Sequence, residues 1–364
     1  MKQFFFALMA TTVFTVFANN ANAKLFRVNN NAGIKTDALF VFNNVTDAIT
    51  AASAGDTLYL EPSTISYGEI VLSKKITLLG PGYLLDKNTG REANQNSAIV
   101  DDIIVNSGDG TVIQGLTING SKNTNNPSAQ IGIGLSINAD NMVISNNYFT
   151  DNCSSSCISF WLSNSHSNIV ISQNYIARNI SSVGVSQISN LIINNNIFPT
   201  ENSVVELTNT SCYFLNNAYG GALLHLDGDV KIENNILVNA NLNIINNNPN
   251  HLMSAMKSNV FAAFFTGNNR IDYNIVSNIQ GINFMTGDRL VGSTSPSLDG
   301  YWQFGVGANG WNNLGTDGNN VGPFGGTAPY ILSGLPPIPH ISTLTIGTIS
   351  SNTLPITISA SSYR

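Results

Sequence analysis

The sequence predicts an all-β chain, a single-stranded right-handed parallel β-helix (a solenoid) with a short N-terminal capping helix. Two observations carry that prediction: a strand motif that recurs with an asparagine at one fixed place, and a run of alternating residues ahead of each copy. Three copies align without gaps: Asn141-Met-Val-Ile-Ser-Asn-Asn-Tyr-Phe149, Asn168-Ile-Val-Ile-Ser-Gln-Asn-Tyr-Ile176 and Asn190-Leu-Ile-Ile-Asn-Asn-Asn-Ile-Phe198. Looser copies follow at 212–219, 229–237 and 269–276. Asn147, Asn174, Asn196, Asn217 and Asn235 thereby form one column, spaced by roughly 18 to 27 residues, within the range of solenoid coils. Each copy reads as one strand. An asparagine at a strand turn tolerates left-handed backbone, and stacked amides on successive coils can hydrogen-bond as an asparagine ladder.

The second column comprises Ile133-Gly-Leu-Ser-Ile137, Ile158-Ser-Phe-Trp-Leu162, Val183-Gly-Val-Ser186, Val204-Val-Glu-Leu207, Leu223-Leu-His-Leu226 and Leu242-Asn-Ile244. Apolar residues alternate there with polar or small ones, the period of a strand with one buried face. Two strand columns in constant order, with no helical period between them, imply coils stacked in parallel. The right-handed turn is expected from the general handedness of parallel crossovers.

Ahead of the columns, Asn44-Val-Thr-Asp-Ala-Ile-Thr-Ala-Ala-Ser53 reads as a short amphipathic helix with Val45, Ala48, Ile49 and Ala52 on one face. Ala54-Gly-Asp-Thr-Leu-Tyr-Leu-Glu-Pro62 and Lys75-Ile-Thr-Leu-Leu-Gly80 follow. This opening resembles that of pectin-lyase-like β-helix proteins, with their Gly-Asp-Thr strand and Lys-x-Leu-x-Leu-x-Gly turn; Ser63-Thr64-Ile65 departs from the usual Gly-Thr-Tyr-like turn. The resemblance implies that the helix caps the open end of the solenoid, where apolar core and strand edges would otherwise face water. It covers most of the mature chain and specifies fold, not chemistry.

The expected organisation is a signal peptide (1–23), a β-helix domain (24–328) and a Pro-rich linker with a short β tail (329–364), packed on or trailing the last coil. Charges and amides cluster over 84–98 as a loop outside the stack, and 341–359 alternates as a hairpin around Ser350-Ser351-Asn352. At the start, Lys2, an apolar run from Phe4 to Phe17 and Ala21-Asn22-Ala23 have the order of a secretory signal, with Lys24 as the first mature residue. That run is shorter than the roughly 20 residues of a spanning helix. The expected location is therefore secreted, cell-surface or periplasmic, with no membrane insertion after cleavage.

Only 10% of residues are charged and the net charge is −6 without a basic block, which argues against a nucleic-acid partner, since neutralising phosphates needs clustered Lys and Arg. The three cysteines, Cys153, Cys157 and Cys212, are too few for a disulfide scaffold or a zinc site. An oxidising compartment permits a Cys153–Cys157 bridge, and buried free thiols fit the sequence equally. No cofactor or metal is expected; Asp227-Gly-Asp229 with Glu233 has too few ligands for a calcium loop and reads as a tight turn.

On a β-helix, outward side chains at one strand position stack about 4.8 Å apart from coil to coil. Taking Leu135/Ile137, Phe160/Leu162, Val205/Leu207, Leu224/Leu226 and Leu242/Ile244 as inward pairs makes Ser136, Trp161, Glu206, His225 and Asn243 one outward row, with Gly184 or Ser186 between Trp161 and Glu206. Glu206, His225 and Asp227 are the candidate catalytic residues, because a carboxylate beside an imidazole can form an acid-base pair. Trp161 and Asn243 are the candidate substrate-binding residues, the indole suiting a sugar ring. Asp101-Asp102 reads as a turn, and His166 and His251 as solvated turn residues.

Two function classes follow. The favoured one is a non-catalytic exported solenoid presenting a lateral face to extracellular polysaccharide or a surface protein, which suits the scarcity of charge. The alternative is a polysaccharide lyase or glycoside hydrolase using the Trp161, Glu206, His225, Asp227 face.

Overall fold

Among the described residues, strands of successive coils pair in parallel along the body of the chain, and only a C-terminal hairpin is antiparallel. The computed structural model describes residues 23–36, 38–120, 133–161, 163–199, 202–237, 297–303, 315–350 and 352–362, with strand backbone at 241–245, 256–257, 260–261 and 275–276. The expected signal peptide, apart from Ala23, lies outside the described residues, as do Leu162 and His251.

A 17-stranded sheet contains two ladders that merge where the strands Val204–Leu215 and Leu223–Glu233 run through both. One ladder passes through Leu25–Val28, Thr57–Leu60, Thr77–Leu79, Val112–Gln114 and Val143–Ser145. The other passes through Ile70–Leu72, Ile103–Val105, Ile133–Ile137, Ser156–Phe160 and Ile180–Ser181. A separate 9-stranded sheet stacks two-residue strands such as Tyr148–Phe149, Tyr175–Ile176 and Ile197–Phe198. The repeated motif is thus two strands, not one: Val143–Ser145 belongs to the large sheet and Tyr148–Phe149 to the small one. Each coil has three faces around a single core, and the chain is a parallel β-helix.

The asparagine column makes the corner between those two strands. Asn146, Gln173, Asn195, Asn216 and Asn234 take positive φ of 50 to 59°, the left-handed turn that asparagine tolerates. The next residues, Asn147, Asn174, Asn196, Asn217 and Asn235, are fully buried. Each of the first four donates its backbone N–H and its Nδ2 to the Oδ1 of the next: Asn147 to Asn174 at 2.9 and 3.1 Å, and Asn196 to Asn217 at the same distances. Nδ2 also donates to a carbonyl one coil back, as Asn196 does to Ile171 at 2.8 Å. The amides thereby satisfy groups that a sheet corner leaves unpaired in the interior.

The N-terminal helix spans Val45–Ala51, with Asn44 Oδ1 accepting from Asp47 N–H at 2.8 Å as its N-cap. Val45, Ala48 and Ala52 are buried, and Phe26 packs against Phe40 and Phe42 at the same end. Among the described residues no helix is long and apolar enough to cross a membrane.

The outward residues of the small sheet are also covered. Tyr175, Ile197, Ala218 and Ile236 bury against Trp302, Val321, Tyr330 and Leu332. Gly315–Leu335, which contains the start of the expected linker, runs back along the solenoid as a strap. The left-handed corner residues hold it: Asn234 donates to Thr316 Oγ1, Asn195 to the Pro323 and Gly325 carbonyls, and Gln173 to the Pro329 carbonyl. The strap ends at an early coil, where Tyr83 N–H donates to Ser333 O and the Tyr83 and Tyr330 hydroxyls hydrogen-bond. Beyond it, His340–Ile346 and Ile356–Ser361 form the hairpin. Leu344 faces Ile358 and Ile346 faces Ile356, all at least half exposed.

Candidate functional site

The outward row on the large sheet is set by strand register. Ser136 pairs with Ser159, Ser159 with Ser181, Ser181 with Glu206, Glu206 with His225, and His225 with Asn243. This corrects one member of the expected row: Ser159, not Trp161, stacks on Ser136, because Ile158 and Phe160 are the inward pair. It corrects a second: Ser181 fills the coil before Glu206, while Gly184, at φ 83°, lies in a turn. Trp161 and Asp227 each sit two residues further along than the row itself.

Alternation fixes the parts that do agree. Val205, Leu207, Leu224 and Leu226 are fully buried, which turns Glu206, His225 and Asp227 outward, each half-buried. His225 Nδ1 lies 3.7 Å from Glu206 Oε1, with the side chains 17% and 39% exposed. That separation is beyond a hydrogen bond and becomes an ion pair only when the imidazole is protonated. His225 Nε2 is buried without a hydrogen-bond partner among the described residues; the Asn243 side chain lies outside them. Gly228 follows Asp227 at φ 135°, and a Cβ there would stand 2.2 Å from Thr210 O, so the chain needs glycine to turn this corner. Nearby, Lys231 Nζ and Glu233 Oε2 pair at 3.0 Å.

Trp161 is 37% exposed, and its Nε1–H donates to Ser136 Oγ at 2.6 Å, one coil away. The indole is therefore held in one orientation with part of its surface in solvent. Beneath its backbone lies His166, 3% exposed and 5.7 Å in ring centroids from Phe160, so the expectation of a solvated His166 is corrected.

Sequence reasoning passed over a second group. Asp102, in the bend between Ile99–Val100 and Ile103–Val105, is 6% exposed, and its Oδ1 has no hydrogen-bond partner among the described residues. Burial first, then the neighbouring carboxylates of Glu69 and Asp101, push its carboxyl up to about 6. Asp101 instead accepts from Ser66 Oγ at 2.7 Å. The bend itself agrees with the turn read from Asp101-Asp102; the burial left no trace in the sequence. Cys153, Cys157 and Cys212 are buried free thiols. No group of three or more His, Cys, Asp or Glu side chains is placed to hold a metal ion among the described residues.

No family model matches the sequence, and no curated protein matches it. Two solved structures of the pectin methylesterase from Aspergillus niger are similar at low level. The penultimately deglycosylated form, with an N-acetylglucosamine stub, is 12% identical with a TM-score of 0.31; the deglycosylated form is 13% identical with a TM-score of 0.30. Each match covers 71% of this chain and 91% of that one. The chain's own strand pairing makes it a parallel β-helix, and its opening segment resembles that of pectin-lyase-like proteins.

Proposed function

We infer that the protein is an exported, non-catalytic β-helix that presents the lateral face around Trp161 to a carbohydrate, with extracellular polysaccharide as the favoured ligand class and a surface protein as the other. The observation that carries this reading is the indole itself, partly exposed and oriented by Ser136. An aromatic face fixed before binding loses little entropy on stacking against a sugar. Beside it runs a row of Ser136, Ser159 and Ser181 that continues through Glu206 and His225, groups able to hydrogen-bond ligand hydroxyls.

Export is part of the proposal. Lys24 N–H donates to Asp56 Oδ1 at 2.7 Å, and Asp56 is buried. Cleavage after Ala23 would turn that amide into an ammonium beside a buried carboxylate, a favourable pairing for a mature terminus.

Enzymatic action by Glu206, His225 and Asp227 is the second reading, favoured by one observation, the direct pairing of Glu206 with His225. The two readings separate on release of reducing ends and unsaturated uronates from neutral and acidic polysaccharides by the 24–364 chain. The non-catalytic reading expects no release. Release that disappears in both Glu206→Ala and His225→Ala would replace it with the enzymatic one.

A further inference from the structure

A cleft of about 300 Å³ lies away from the lateral face, where three separate parts of the chain meet. Tyr59 reaches it from the strand Thr57–Leu60, Glu92 from the loop outside the stack, and Pro336, Pro339 and His340 from the junction of strap and hairpin. Ala93 N–H donates to Ile341 O at 2.7 Å and ties the loop to the hairpin beside it. The volume is that of about ten waters, at roughly 30 Å³ each, enough for a ring with a short arm.

The walls decide what could enter. Prolines and aliphatic side chains make most of the lining, and no Lys or Arg is among the described residues that line it. The polar groups are few and partly committed. His340 Nδ1 faces Ile338 O at 3.4 Å, and its Nε2 faces Ser361 Oγ at 3.0 Å. A sugar buried here would leave hydroxyls without partners, at about 1–3 kcal/mol for each group. A largely apolar ligand would not.

The electrostatics give that ligand a sign. Burial raises the Glu92 carboxyl above its ordinary value, opposed by His340 and by the N–H groups of Ala93 and Asn94. Burial likewise pushes the Tyr59 hydroxyl up to about 12, with the negative charges of Glu92 and then Glu61 adding to it and Arg27 opposing. Arg27 is itself paired with Glu61 at 2.5 Å. The one carboxylate lining the cleft is thus costly to keep charged there, and a ligand cation would offset that cost.

We propose that this cleft binds a small organic amine, an apolar ring or chain bearing one ammonium, with Glu92 as counter-ion and the Tyr59 ring and prolines as its walls. The ammonium stands beside the Glu92 carboxylate, and the apolar body lies against Pro336, Pro339 and the tyrosine face, where a cation is also attracted by the ring. The site is independent of the proposed carbohydrate face.

Calorimetric titration of the 24–364 protein at pH 8 with phenethylamine, phenethyl alcohol and 3-phenylpropionate tests this. The amine should bind at least about tenfold more tightly than the alcohol or the acid, or roughly 1.4 kcal/mol. Glu92→Gln should remove that preference without lowering the Tm, Ala360→Phe should block binding by filling the cleft, and Trp161→Ala should leave it unchanged. Nα-acetyl-lysine methylamide binding as well as phenethylamine would also support the site and assign it to a lysine side chain. Absence of saturation by either amine, equal affinity for amine and alcohol, or full affinity in Glu92→Gln would overturn the proposal.

Discussion

Asp102 joins a buried carboxyl to pH in a way that can be measured. Its folded value, pushed up to about 6, stands above the ordinary 3.8, so the folded protein holds this proton more tightly than the unfolded chain. The associated stability is fully present below the ordinary value and is lost as pH rises through about 6. The rise from 3.8 to about 6 would correspond to about 3 kcal/mol, and screening by nearby solvent reduces it to about 1–2 kcal/mol. Asp102→Asn should therefore raise the Tm at pH 8 and leave it nearly unchanged at pH 4, as thermal melts at the two pH values would reveal. A gain of equal size at both would mean that the carboxyl is not destabilised by ionising.

The mature terminus gives a second residue-scale test. A chain beginning at Lys24 should be more stable than one extended by Met, by about 1–2 kcal/mol at neutral pH, and Asp56→Asn should erase the difference in paired melts. Sequence legibility also differs residue by residue. Glu206 and His225 could be paired from sequence because each lies between two buried residues of its own strand. Trp161 could not be aligned with them, since a shift of two residues preserves the inward and outward pattern that a shift of one destroys. His166 was hidden for another reason: Asn168, at φ 55°, resets the alternation two residues after it.

Among elements, the asparagine corner is the part of the coil most exposed to a single change. Asn196 Oδ1 accepts from both the backbone N–H and Nδ2 of Asn174, and its Nδ2 donates to Ile171 O. Asn196→Ala orphans these buried groups and should cost about 3 kcal/mol or more in urea unfolding. Asn168→Ala, in the exposed row where Asn168 Nδ2 donates to Asn141 Oδ1 at 2.9 Å, should cost about 1 kcal/mol, mostly from its left-handed backbone. Similar losses at the two sites would contradict the role given to the buried amides. The repeated motif was legible, but its division into two strands was not, since Ser145 to Tyr148 reads as uninterrupted strand until the left-handed corner is known.

The strap was illegible for a related reason. Its glycines and prolines carry no period, and what it covers is an apolar row on the outside of two-residue strands. Gly334 is its tightest point against the coils, at φ 54°, where a Cβ would stand 2.1 Å from the Tyr83 ring. Gly334→Ala should lift the strap there, seen as faster hydrogen exchange at Tyr83 and Gly334 amides with the core strands still protected. Unchanged exchange at both amides would mean that the strap does not depend on this contact.

At the scale of the whole molecule, a solenoid of few charges places residues from distant coils in rows on flat faces, and its chemistry depends on register more than on local motifs. That is why composition and repeats sufficed for the fold, whereas the lateral face needed each strand pairing. The central claim is that Trp161 and the serine row beside it form a carbohydrate-binding face. Affinity electrophoresis of the 24–364 protein through gels containing individual neutral and acidic polysaccharides tests it most directly. The account predicts retardation by at least one polymer, loss of most of it in Trp161→Ala, and retention in Glu92→Gln. Retardation that survives Trp161→Ala, or migration unaffected by every polymer, would contradict it.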